Sequence, residues 1–307
     1  MAAPFPVPLL LAGPTCCGIY DPHRGALGIL DEGHGDYYGI TWSDREVYIL
    51  ARCGGSGETI LVYDRTGTDI RRLPIGRDID GHQILHHQGH LLITATRENA
   101  LIRLDPLTGG QSIWRWTDHH SDVNHINGLS PGPLGTVVVS LDNGSEHPSE
   151  LVLLSPRGKL IGTLLTLTNP LHGSHNIEES RIVASAYRSV VFDTSGGIEP
   201  IPVFEREAEF FRGLGRCRLS DGSAGWLVGS SPILPRESRA EPHTAWIHLF
   251  TGSPARLLAT LAVPDLGQVY EMRSLDPAFP HHGIPCPIDL NELSGIRTWK
   301  PVSVLAG

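Results

Sequence analysis

Val123-Asn124-His125-Ile126-Asn127-Gly128-Leu129 is a short polar-to-apolar run whose weaker copies recur along the chain. Gly81-His82-Gln83-Ile84 and Ser174-His175-Asn176-Ile177 repeat its plan. Tyr38-Gly39-Ile40, Phe211-Arg212-Gly213-Leu214 and Tyr270-Glu271-Met272 are three further copies. Each opens a segment of the same kind, and the polar residue at its head changes from copy to copy. The heads recur about every 45 residues, the period of propeller blades built from four short strands. The copies therefore predict the innermost strands of a propeller, with the varied heads meeting around one axis.

A second repeat supports the first. Tyr20-Asp21-Pro22-His23-Arg24-Gly25, Tyr63-Asp64-Arg65-Thr66-Gly67, Leu104-Asp105-Pro106-Leu107-Thr108-Gly109, Leu154-Ser155-Pro156-Arg157-Gly158 and Phe192-Asp193-Thr194-Ser195-Gly196 share one plan. Asp or Ser followed by Gly is tight-turn chemistry between two strands. No helical periodicity of useful length interrupts the pattern. The N-terminal strands Leu9-Leu10-Leu11-Ala12 and Gly18-Ile19-Tyr20 precede any inner-strand copy, and the last copy, at Tyr270, has no three strands after it. The expectation is an all-β, six-bladed β-propeller over residues 1–275, closed by pairing the N-terminal strands with the strand near Tyr270. Such closure removes free sheet edges. Residues 276–307, with Pro277, Pro280, Pro285, Pro287 and Pro301, are expected as an extended arm packed on the propeller. The long step from Arg212 to Tyr270 predicts an inserted loop over residues 230–242.

Composition narrows the function classes. The 307 residues carry a formal net charge of −9 with 19% charged residues, and Gly 35 and Pro 24 favour turns over helices. No Lys/Arg cluster is present to neutralise phosphates, which argues against nucleic acid as a partner. No apolar run is long enough to span a bilayer, and Met1 to Leu11 lacks the basic start of a signal peptide, so the cytoplasm is the expected location. Five cysteines (Cys16, Cys17, Cys53, Cys217, Cys286) show neither disulfide-framework nor zinc spacing. Cys16, Cys17 and Cys53 could reach the channel mouth, where packing is favoured over a nucleophilic role.

Alternation along a strand sends residues two apart to the same side. If Tyr38, His82, Asn127, His175, Arg212 and Tyr270 face the axis, so do Asp36, Asp80, His125, Gly173, Phe210 and Gln268. Neutral imidazole is a common ligand for zinc, iron and copper. His82, His125 and His175 are therefore the candidate ligands of a divalent metal ion, with Asp80 or Asn127 beside it. Histidines in such channels also often hold water or a neighbouring backbone. Arg212 is the candidate clamp for an anionic group, by a fixed positive charge, or alternatively a salt-bridge partner of Glu205, Glu207 or Glu209. Tyr270 and Asp80 complete the catalytic candidates with Arg212. Tyr38, Asn127, Arg212 and Gln268 are the candidate substrate contacts. The paired histidines His86-His87, His119-His120 and His281-His282 each offer at most one group to a site.

Asn127-Gly128-Leu129 resembles the senescence-marker-protein/gluconolactonase group of six-bladed propellers. That resemblance implies a channel-facing Asn coordinating a divalent cation beside a Glu and an Asp. Here His82, His175 or Tyr38 stand where those carboxylates are expected, which shifts the implied site toward a histidine-rich ion. The segments His125 to Leu129 and Phe210 or Phe211 to Leu214, with Val228-Gly229-Ser230 and Arg236-Glu237-Ser238, are similar to a bacterial six-bladed propeller family and imply the fold more than an activity. The expected function is a metal-dependent enzyme acting on a small polar or anionic molecule, of hydrolase or lyase/isomerase type. The alternatives are a non-catalytic propeller binding a ligand or protein through its top face, and a histidine-ligated iron or copper oxidoreductase.

Overall fold

The Asp-to-Gly turns fold as their chemistry dictates. The Asp21 carboxylate accepts the His23 N–H at 2.8 Å, and Gly25 takes φ +59. Asp64 accepts from Thr66 and Thr68 ahead of Gly67 at φ +76, and Asp105 accepts from Leu107 ahead of Gly109 at φ +73. The Ser155 hydroxyl accepts from Lys159, with Gly158 at φ +75. A short polar side chain satisfies the turn's donors and glycine takes the left-handed position, so each turn folds its two strands back on one another. The structure, a computed structural model, describes residues 5–52, 57–144, 147–168, 171–178, 181–189, 192–193, 201–202, 205–239, 241–251, 256–281 and 283–306. The fifth turn, at Thr194 to Gly196, lies outside them.

The strands so joined make an all-β propeller. One sheet runs Glu271–Ser274, Leu9–Ala12, Cys16–Asp21, Ala26–Glu32 and Thr298–Pro301. Three four-stranded sheets begin at Asp36–Trp42, Ile84–His87 and Ile126–Pro131. A seven-stranded sheet runs from Leu171–Glu178 through Arg181–Ser189, Glu205–Arg218, Ala224–Pro232, Ala245–Thr251 and Arg256–Val263 to Ser303–Ala306. The sheets that serve as blades therefore number five, which corrects the expected six. The reason is the pairing of Tyr187 with Phe210 and Ser189 with Glu205, which merges two strand groups into one sheet. That sheet contributes two of the strands around the axis, Leu171–Glu178 and Glu205–Arg218. Around the ring, Asp36–Trp42 neighbours Ile84–His87, then Ile126–Pro131, Leu171–Glu178, Glu205–Arg218, Glu271–Ser274 and Asp36–Trp42 again.

Closure uses the two ends of the chain. Leu9 to Ala12 pair antiparallel with Ser274 to Glu271. Beyond Ser274 the chain crosses the wall, with the Trp42 indole donating to the Ile284 carbonyl at 2.8 Å. Thr298–Pro301 adds a strand to Ala26–Glu32, and Ser303–Ala306 adds one to Arg256–Val263. No helix among the described residues is long and apolar enough to cross a membrane.

The core lies between blades rather than at the axis. Leu9, Leu11, Leu227, Leu249 and Met272 form one layer, and Ile19, Tyr37, Trp42, Ile49 and Leu61 the next. Central strands are buried on both faces, as in Val47–Arg52, whereas the outer strand Asp69–Pro74 is largely exposed. Close approach of the inner strands depends on small residues. A Cβ on Gly39 would lie 2.7 Å from the Gln83 Cα, and one on Gly213 would lie 2.9 Å from the Met272 nitrogen. Backbone cannot yield as a flexible side chain does, so Gly39→Ala is expected to destabilise the fold by about 3 kcal/mol. Urea unfolding checks this; a midpoint equal to wild type would show that the inner strands are not packed this closely.

Candidate axial mouth

The heads of the inner strands are irregular, and these irregularities aim the polar side chains. Register slips fall between Tyr37 and Ile40, Ile126 and Gly128, Leu171 and His175, and Arg212 and Leu214. Asp80 and His125 take φ +53 and +44, a region costly for residues with a Cβ. Such bulges re-aim a side chain locally and break strict alternation. The loop ahead of His82 is clamped from beneath: the buried Glu58 carboxylate accepts the Ile79 N–H at 2.7 Å and the Gly81 N–H at 3.0 Å. Thr94 Oγ1 then accepts the backbone N–H groups of His82 and Gln83. Ahead of Ile126, Asn99 Nδ2 donates to Asn124 Oδ1 at 2.8 Å and Thr96 Oγ1 to the Ile126 carbonyl at 2.6 Å.

These supports assemble one cluster. The Tyr38 and Tyr270 rings stack at 4.6 Å and 13°. His82 meets Tyr38 edge-on at 5.4 Å, and His125 lies 5.2 Å from His82. The Arg212 guanidinium sits 4.8 Å from the Phe210 ring and 5.2 Å from Tyr270, while Arg52 sits 4.5 Å from Tyr38. Arg52 also pairs with Asp80 and approaches Glu58 at 3.4 Å. His82 Nε2 stands 3.9 Å from Asp80, the Tyr38 hydroxyl donates to Asp36 at 3.4 Å, and His125 Nδ1 contacts Asp122 at 3.0 Å.

Burial sets the charges. It raises the Tyr38 and Tyr270 hydroxyls above their usual range, so both remain protonated hydrogen-bond donors at neutral pH. It lowers the Arg212 guanidinium, and the nearby cations Arg239 and Arg52 add to that, against the pull of Tyr38 and Tyr270. Burial alone would loosen the Arg52 proton, but Tyr38, Asp80, Glu58 and Asp36 outweigh it and raise Arg52. Burial likewise pushes the Glu58 carboxyl up, against the N–H groups of Ile79 and Gly81.

Not every expected residue joins this cluster. Asn127 is occupied structurally: its Nδ2 donates to the Leu171 carbonyl at 2.7 Å and its Oδ1 accepts from Ser140 at 2.7 Å. The slip between Ile126 and Gly128 turns it along the ring rather than toward His82. His175 lies farther down the axis. Leu171 is level with Asn127, and His175 follows Leu171, whereas His125 precedes Asn127. His175 instead lines a cavity with Ser130, Arg216 and Arg273, later positions on the inner strands. The three histidines do not form one ligand set. Among the described residues no group of three His, Cys, Asp or Glu side chains could hold a metal ion. The residues as placed therefore do not fit the expected three-histidine centre. Gln268 is buried, with Nε2 donating to the Pro232 carbonyl at 3.0 Å, and so tethers the loop after Ala224–Pro232. That loop starts later than expected, since Ser230 and Ser231 are buried strand residues bonded to His248 and the Val269 N–H.

Burial raises Cys16, and Cys17 further, and lifts Cys217 to about 12, which keeps these three thiols protonated at neutral pH. Cys53 and His282 lie outside the described residues. Three residues of the mouth escaped the sequence reading: Arg52, Glu58 and Arg239. They come from a second strand, a third strand and the inserted loop, and the only signal was Arg52 ending its apolar strand with a charge.

No family model and no curated protein sequence matches this chain. Among solved structures, a chain of the nidogen/laminin complex matches with a TM-score of 0.62 at 9% identity, over 88% of this chain and 98% of that one. That likeness bears on the fold, supporting the propeller. Streptogramin B lyase matches with a TM-score of 0.48 at 16% identity over 72% of this chain and 82% of that one. Glutaminyl cyclase from Myxococcus xanthus matches at 0.38 and 15%, over 56% and 81%. Those two likenesses are too partial to bear on activity.

Proposed function

We propose that the axial mouth binds a small anionic molecule and acts on it as a lyase, isomerase or hydrolase. The observation that carries this reading is the gathering of two arginines, Arg52 and Arg212, around the stacked pair Tyr38–Tyr270, with the Arg239 charge near enough to act on Arg212. Arg212 is the anion clamp, because a guanidinium held in a dry aromatic setting offers fixed donors at low reorganisation cost. Tyr38 and Tyr270, kept protonated, donate to the substrate's oxygen atoms. His82, with Asp80 at 3.9 Å, is the group to take or return a proton. Arg52 and Glu58 act through His82 and Asp80 and are positioning residues. Asn127 and Gln268 shape the site from behind it. No step is routed through a metal ion.

One observation favours the second reading, anion binding without turnover. Tyr38, Tyr270 and Arg212 are each only 5% exposed, so the axis is packed with rings rather than open. One experiment separates the two. Thermal unfolding is followed against a panel of small carboxylates and lactones, and each stabilising compound is then incubated with protein under proton NMR. A ligand at a hundred times its Kd should add about 2.7 kcal/mol. Stabilisation with spectral change supports the enzyme, and stabilisation without change supports the binder. No stabilisation by any anion sinks both.

A further inference from the structure

A cavity of about 390 Å3 opens where the inner strands end, away from the arginine and tyrosine cluster. Its walls come from later positions on those strands: Ser130, His175, Arg216 and Arg273. Its roof is the segment after Ser274, which brings in Phe279 and His281. We propose that this cavity is a binding site for an oxyanion carried on a small apolar body, distinct from the axial mouth.

Four observations carry it. First, Ser130 is 5% exposed and its hydroxyl has no hydrogen-bond partner among the described residues, an arrangement that costs free energy unless a ligand or water completes it. Second, no acidic side chain is among the described residues of the lining, which instead supplies two guanidiniums, two imidazoles and two serine hydroxyls. Third, Arg216 is fixed in advance, with its guanidinium 5.0 Å from the Trp226 ring and 4.3 Å from the Phe279 ring. A guanidinium held against two rings loses little freedom on meeting an oxyanion. Arg273 stands beside Glu271 at 3.4 Å. Fourth, Leu214, Pro131, Phe279 and Pro280 give the same cavity apolar surface beside its donors. A cavity of this size that sets polar donors beside apolar wall suits a small organic ligand with an anionic end. Trp42 steadies the roof, its ring 4.8 Å from that of His281 and its indole bonded to Ile284.

The test uses phenyl phosphate in titration calorimetry on the full chain, with inorganic phosphate and phenol as single-feature controls. Wild type is expected to bind phenyl phosphate at least about ten-fold more tightly than either control. Arg216→Gln should weaken binding by about ten- to a hundred-fold, and Ser130→Ala by a few-fold. Arg212→Gln, at the axial mouth, should leave it within about two-fold. Because the Ser130 hydroxyl has no hydrogen-bond partner among the described residues, Ser130→Ala should fold normally and keeps the proposal testable if Arg216→Gln does not. Loss of binding in Arg212→Gln with Arg216→Gln and Ser130→Ala unaffected would place the ligand at the axial mouth and overturn the proposal. So would no binding by wild type at 10 mM phenyl phosphate, an upper limit about ten-fold weaker than a Kd of ~1 mM. The axial reading stands or falls separately, on its own ligand panel.

Discussion

Glu271→Ala is expected to cost the fold about 3–5 kcal/mol, the range for removing one partner of a buried ion pair. Glu271 is 1% exposed and Arg273 6%. The carboxylate accepts from the Gln83 amide and from the Met272 N–H at 2.8 Å, and faces Arg273 at 3.4 Å. Arg273 in turn donates to the Ile40 carbonyl at 3.3 Å. The Glu271–Arg273 pair thus joins the strand that closes the ring against Leu9–Ala12 to Gln83 on one side and to Ile40 on the other. Alanine leaves the Arg273 cation buried without its carboxylate and the Gln83 amide without its acceptor. At about 2 °C per kcal/mol for a chain of this length, Tm should fall by roughly 6–10 °C. The double variant Glu271→Leu with Arg273→Met should lose less than Glu271→Ala alone, because it removes the orphaned charge as well. Urea and thermal unfolding measure both. A loss below about 1 kcal/mol for Glu271→Ala would show that the pair is not what holds the closure.

Much of this closure was legible in the chain. The Asp-to-Gly turns and the repeated heads specify hairpins and their period, and the placement of Leu9–Ala12 beside Glu271–Ser274 follows from where the copies begin and stop. The blade count was not legible, because the pairing of Tyr187 with Phe210 depends on how two neighbouring strand groups meet, which no local pattern records. At the mouth, Tyr38, His82, His125, Arg212 and Tyr270 were reached by assuming that the varied heads face inward. The same assumption misplaced Asn127 and His175, since it extends strict alternation across bulges. Asn127 sits in a slip between Ile126 and Gly128 and bonds sideways to Leu171. Arg52, Glu58 and Arg239 reach the mouth through tertiary packing. Arg216, Arg273 and Ser130 lie at the far ends of strands whose heads drew the attention.

Arg212→Gln is expected to weaken binding of the best anion in the ligand panel by about a hundred-fold, against about ten-fold for Arg212→Lys. Hydrogen bonds to a charged partner are worth roughly 1.5–3 kcal/mol each when the site is dry, and a guanidinium can make two to one oxyanion. Burial lowers the Arg212 proton affinity, but a guanidinium starts so far above neutrality that it stays charged at pH 7. The charge is therefore present to be lost on substitution by Gln. Lys restores it without the planar fork, which fits a partial effect. Phe210 and Tyr270 keep their places on either side, so the unliganded fold should lose less free energy than the ligand affinity does. Calorimetric titration of both variants, beside urea unfolding of the free proteins, separates a binding role from a structural one. Equal affinity in wild type and Arg212→Gln would remove the anion clamp. The stacked tyrosines and His82 would then be a packed axial plug with no ligand to hold.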